Sequence, residues 1–156
     1  MRKRSKYKPR SIRMDNMSFV KAGITPFTEV SAGTSLRIKN HDSLNNIRLG
    51  VATKSDIDML LGASNIAEAM RRMGKGVDWQ VELKAGHDAL LAVARRGAKN
   101  KMRFVLTGPE LQALNLMMDI HDAQLDACIL QDVEKALDLV AEELKHKRAT
   151  PIMEKV

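Results

Sequence analysis

From Thr53 to Lys147 apolar residues recur at alternating steps of three and four, the spacing of one face of an α-helix. Met59, Ala63, Ile66, Met70 and Met73 form the first stripe, opened by Thr53 with Asp56 three residues on and closed by Gly74 and Gly76. Trp79, Leu83, Gly86, Leu90 and Val93 form the second, opened by Asp78 and closed by Arg95, Arg96 and a C′ glycine, Gly97. The two are expected to pack as a hairpin, with Gly86 permitting close approach. Thr107, Pro109 and Glu110 mark the clearest helix start in the chain, a capping box with proline in the first turn. Leu111, Leu114, Met118, His121, Leu125 and Cys128 follow as one stripe, and Ile129, Val133, Leu137, Val140 and Leu144 continue it after a phase shift of one residue. Unbroken to Lys147, this helix would run for about 55 to 60 Å, more than the width of a domain this size. A kink between Ala127 and Gln131, or projection beyond the core, is therefore expected. A chain patterned this way is mainly α, an antiparallel bundle of about three main helices.

Residues 14–50 carry weaker signals. Asp15 caps a short predicted helix to Ala22, with Met14, Met17, Phe19 and Val20 as its apolar surface and Gly23 and Pro26 as its end. Over 31–40, Ala32, Gly33 and Thr34 suggest a turn, and the alternation of Leu36 and Ile38 with Arg37 and Lys39 suggests a strand. Its partners would be Phe27–Val30 and Met102–Leu106, making a small hairpin or three-stranded sheet. A short helix from His41 to Leu49, ended by Gly50, would connect this to the bundle.

Net charge becomes informative once it is located. Of the chain's formal +7, all is supplied by Arg2, Lys3, Arg4, Lys6, Lys8, Arg10 and Arg13, since the first 13 residues hold no acid and the rest balance. Within that neutral body, residues 109–143 hold nine acids against Lys135, whereas Arg95, Arg96, Lys99, Lys101 and Arg103 lie in a stretch without an acid. The organisation predicted is a basic arm over 1–13, a helical domain over 14–148 and a frayed tail over 149–156.

Crowded like charges with Pro9 disfavour helix in the arm and suit a phosphate backbone, because each neutralised phosphate releases condensed counterion. Tyr7 could stack on a base or ribose. The predicted nucleic-acid contacts, to DNA or RNA, are thus Arg2, Lys3, Arg4, Lys6, Tyr7, Lys8, Arg10 and Arg13, extended by Arg95, Arg96, Lys99, Lys101 and Arg103. The alternative is an adaptor or inhibitor that binds a host or phage protein. It would act through Asp119, Asp122 and Asp126, on one helix face, and through a surface rich in the ten methionines. That acidic face could also receive the 95–103 segment or another copy's arm, and a homo-oligomer is compatible with either reading.

Signals for chemistry are sparse. Three histidines precede aspartate, His41-Asp42, His87-Asp88 and His121-Asp122, an order loosely similar to that of metal-dependent phosphohydrolases. Adjacent residues on a helix diverge by about 100°, and no second ligand stands at fixed spacing, so no metal site is predicted. Cys128, alone of its kind, has no neighbouring base and reads as a core residue. Phosphate-loop, dinucleotide and nucleophile-elbow motifs are all missing, so no catalytic residue and no cofactor are predicted. One cysteine, no long apolar run and no secretory h-region point to the cytoplasm, without a membrane span.

The wording MRKRSKYKPR, IKNHDSL, FVLTGPELQALN and IHDAQLDA resembles that of small proteins encoded by tailed phages and prophages of proteobacteria. That resemblance implies a small accessory or early protein, acting in the host cytoplasm on DNA or on a host protein. It carries no functional residue with it.

Overall fold

A computed structural model describes residues 23–146, in which five α-helices follow one another: α1 (Ser31–Leu49), α2 (Lys54–Arg72), α3 (Gln80–Lys99), α4 (Gly108–Asp126) and α5 (Leu130–Lys145). Short 3₁₀ turns at Phe27–Glu29 and Val77–Trp79 precede α1 and α3. The predicted helix over 15–22, the arm and the tail lie outside the described residues.

α2 and α4 begin where their boxes predict. The Thr53 N–H donates to Asp56 Oδ2 at 2.8 Å, and the Thr107 N–H donates to Glu110 Oε2 at 2.8 Å while the Glu110 N–H donates back to Thr107 Oγ1. Left-handed Gly50 closes α1, and left-handed Gly74 and Gly76 shape the turn after α2. Ala63, Ile66, Met70, Leu83, Leu90, Val93, Leu114, Met118 and Leu125 are buried as their stripes predict, and Met117 joins them. Removing such side chains from water, at about 25 cal/mol per Å², is what holds α2, α3 and α4 together. Trp79, by contrast, heads its stripe on the surface, 37% exposed.

The predicted strand at 31–40 is helix instead, and no hairpin forms among the described residues. Buried or half-buried Gly33, Leu36, Asn40, Ser43, Leu44 and Ile47 follow a helical spacing, while Ile38, half of the strand's alternation, points to water. Gly33 is needed for contact rather than for a turn, since a Cβ there would meet the Phe27 carbonyl oxygen at 2.6 Å. Phe27–Glu29 is a 3₁₀ turn, and 102–106 is a turn followed by an irregular connection; among the described residues an isolated bridge joins Pro26 to Ile129.

The last stripe divides. α4 stops at Asp126 and α5 starts at Leu130, because Ile129 turns extended, with φ −94° and ψ 163°, and the 25–27 segment completes the exposed backbone. Phe27 N–H donates to the Cys128 carbonyl at 3.0 Å and Leu130 N–H donates to the Thr25 carbonyl at 2.9 Å. Phe27 then sits in a second core with Ile66, Met70, Leu125, Cys128, Val133 and Ala136. In place of three main helices preceded by short ones, the described residues form five, with α1 as long as α2.

Two glycines have roles other than those their positions suggested. Gly86 admits α4 rather than α2, since its missing Cβ would lie 2.5 Å from Met117 Cβ. Gly97 is interior to α3, which runs on to Lys99, and the buried Phe104 ring folds back over it.

Candidate functional site

The connection from α3 to α4 gathers the basic segment of the body. Lys101 and Met102 take left-handed φ of 51° and 62°, an uncommon conformation for residues with a Cβ, and Phe104 anchors the far side. Backbone N–H groups of Asn100 and Met102 both donate to the Gly97 carbonyl, at 3.0 and 2.9 Å, which tightens the reversal. Arg95, Lys99, Lys101 and Arg103 stand exposed around it. Arg96 does not join them: it donates to both carboxylate oxygens of Glu110, at 3.0 and 2.6 Å, and to the Val105 carbonyl at 2.7 Å. Its guanidinium holds the Glu110 carboxyl below the ordinary carboxylate range. Four cations are thus displayed without an acid partner among the described residues.

Residues 1–22 lie outside the described residues, and the described body begins at Gly23. Gly23 lies beside Gln131 in the first turn of α5, at the C-terminal end of α4. The basic loop is at the other end of that helix, whose 19 residues span about 28 Å.

The predicted acidic face is largely occupied. Asp122 Oδ2 meets His41 Nε2 at 2.7 Å, and Asp126 is paired with Arg37, which also donates to the Asp122 carbonyl at 3.1 Å. Both partners come from α1. Asp126 stays exposed beside its partner, and Asp119 is exposed with no such pairing among the described residues. Of the methionines, Met70, Met117 and Met118 are core, Met59 and Met73 half-buried and Met102 exposed, so thioethers here fill gaps between helices.

The histidines do not converge as ligands, and no group of three or more His, Cys, Asp or Glu side chains among the described residues is placed to hold a metal. His87 Nδ1 lies 2.9 Å from Ser64 Oγ, at the wall of a groove of about 630 Å³ between α2, α3 and the end of α5, floored by Ile57, Leu61, Leu83 and Leu139. Ser64 is buried in mid-helix, with neighbouring Glu68 bound to Arg71 and Arg72, so this pair has neither an orienting acid nor amides free to hold an oxyanion. Burial lowers the His87 pKa and raises that of Cys128. Among the described residues no helix is long and apolar enough to cross a membrane.

His121 is wholly buried with neither ring nitrogen hydrogen-bonded, and Asn40 is buried in the same condition. Burial, only partly offset by Asp122 and by the nearby Gln124 amide, lowers the His121 pKa from 6.5 to about 4. The unfolded chain then binds the proton that the folded chain refuses, so this contribution is whole above pH 6.5 and is lost as pH falls toward 4. The shift corresponds to about 3 kcal/mol. Melting temperature should fall across that window in the native protein and much less in His121→Leu. Equal losses in both would contradict the assignment.

Neither the charge layout nor the helices have a counterpart to borrow from: no family model, curated protein or solved structure matches the chain.

Proposed function

We propose that this chain is a non-enzymatic nucleic-acid-binding protein whose N-terminal arm contacts phosphates, with the loop after α3 as a second contact. The observation that carries the reading is the set of four exposed cations, Arg95, Lys99, Lys101 and Arg103, held around a tight reversal while the nearby acid, Glu110, is taken by Arg96. One or two cations at a helix C-terminus serve its dipole; four exceed that need. Seven more stand in residues 1–13. Phosphate attraction of this kind is sequence-independent, so the protein would favour charge over base identity. The resemblance to phage and prophage proteins fits a small accessory role of this sort.

Changing Arg95, Lys99, Lys101 and Arg103 together to Gln tests the second contact. Binding to a mixed-sequence duplex, followed by fluorescence anisotropy at low salt, should weaken about tenfold or more, with a salt slope shallower by about two to four. Unchanged affinity and slope would remove the loop from the interface.

A further inference from the structure

Where the start of α3 meets α4, a cleft of about 340 Å³ is lined by Trp79 and Glu82 on one wall and by Leu116, Asp119, Ile120 and Ala123 on the other. Its chemistry suits one kind of guest. Trp79 packs its ring so closely on Gly76 that a Cβ there would lie 2.6 Å from it, which fixes the indole at the rim with 37% of its surface exposed. Leu116, 47% exposed, offers an aliphatic wall opposite. Glu82 Oε2 is shut off from solvent without a hydrogen-bond partner among the described residues, and Asp119 is exposed across the cleft. An aromatic face, an apolar wall and two uncompensated carboxylates together recognise the stem and charged head of a lysine or arginine.

We propose that this cleft is the docking site for the chain's own basic arm, a Lys or Arg of residues 1–13 lying over Trp79 between Glu82 and Asp119. Charge complementarity and reach both single out this occupant. The arm holds seven cations and no acid. The described body begins at Gly23 beside Gln131, whose neighbour Asp132 pairs with Lys75 Nζ at 3.2 Å, next to the glycine under Trp79. Nine residues separate Arg13 from Gly23, a span of about 14 Å as helix or about 30 Å extended. With a turn of its half-buried side chain, the Glu82 carboxylate gains the cationic partner that the described residues do not give it. Because a docked cation is withheld from other anions, the cleft would compete with any phosphate for the arm. The docking itself stands whether or not nucleic acid is the arm's other ligand.

Trp79 is the chain's one tryptophan, so its emission reports this site alone. Three full-length proteins are compared at low salt: native, arm-neutralised with the seven cations changed to Gln, and Glu82→Gln/Asp119→Asn. The native protein should emit to the blue of both variants and be better shielded from acrylamide, and 1 M salt should erase the difference. A synthetic peptide of residues 1–13 should shift the arm-neutralised protein saturably toward the native spectrum and leave the double variant unmoved. Identical emission and quenching in all three, with no response to peptide, would overturn the proposal. So would a native shift that appears only as protein concentration is raised, since that assigns the cleft to a second copy's arm.

Discussion

Leu114→Asp and Leu90→Asp are each expected to abolish cooperative thermal unfolding followed by far-ultraviolet circular dichroism. Both leucines are wholly shielded from solvent, Leu114 on α4 and Leu90 on α3, within the core shared by α1 to α4. A carboxylate there either remains charged without a partner or takes up a proton and still leaves polar atoms unpaired, at a cost of about 4 kcal/mol or more. A domain of this size holds only about 5 to 15 kcal/mol of stability in total. The same change at Leu116, which is 47% exposed on α4, should cost less than about 1 kcal/mol. Equal effects at Leu114 and Leu116 would mean that the helix faces are misassigned.

The helices with apolar core faces were legible from residue type alone. In α2, α3 and α4 most inward positions are filled by Leu, Ile, Val, Ala and Met, so the period of 3.6 stands out despite Ser64, His121 and Gln124. The inward positions of α1 include Gly33, Asn40 and Ser43, which erase that period and leave the Leu36 and Ile38 alternation as the visible signal. Its helical state comes from packing on α2 and α4, a long-range influence that local patterning does not carry. The break after Asp126 left a trace in the one-residue phase shift, but the groups that stabilise it, at Thr25 and Phe27, are about a hundred residues earlier.

The same blind spot explains the acidic face. Asp122 and Asp126 looked available because their partners, His41 and Arg37, lie on the helix that was read as part strand. Arg96 counted as a free cation because Glu110 meets it only once α3 and α4 fold side by side. The Trp79 cleft escaped notice for a related reason: its stripe position reads as core, yet it stands at the end of the hairpin where the cover stops. Composition located the charges correctly; pairing across helices decided which of them are spent.

Removal of residues 1–13 is the second change with a large expected effect. It deletes all seven units of net charge while leaving every described buried residue in place. If the arm places four to seven cations on phosphates, log affinity for duplex DNA against log salt should have a slope of about −3 to −6 in the intact protein. Affinity should then fall by orders of magnitude between low and physiological salt. With few aromatic side chains, three Phe, one Tyr and one Trp in the chain, preference among sequences should be slight. Tyr7→Ala should matter more on single strands than on duplex.

The salt dependence of DNA binding by intact and truncated protein, measured side by side with melting curves for both, tests the central claim most directly. The account requires the two to melt nearly alike while the truncated protein loses most of its affinity and most of its slope. Equal affinity and slope in the two proteins, or no binding by either at low salt, would contradict it.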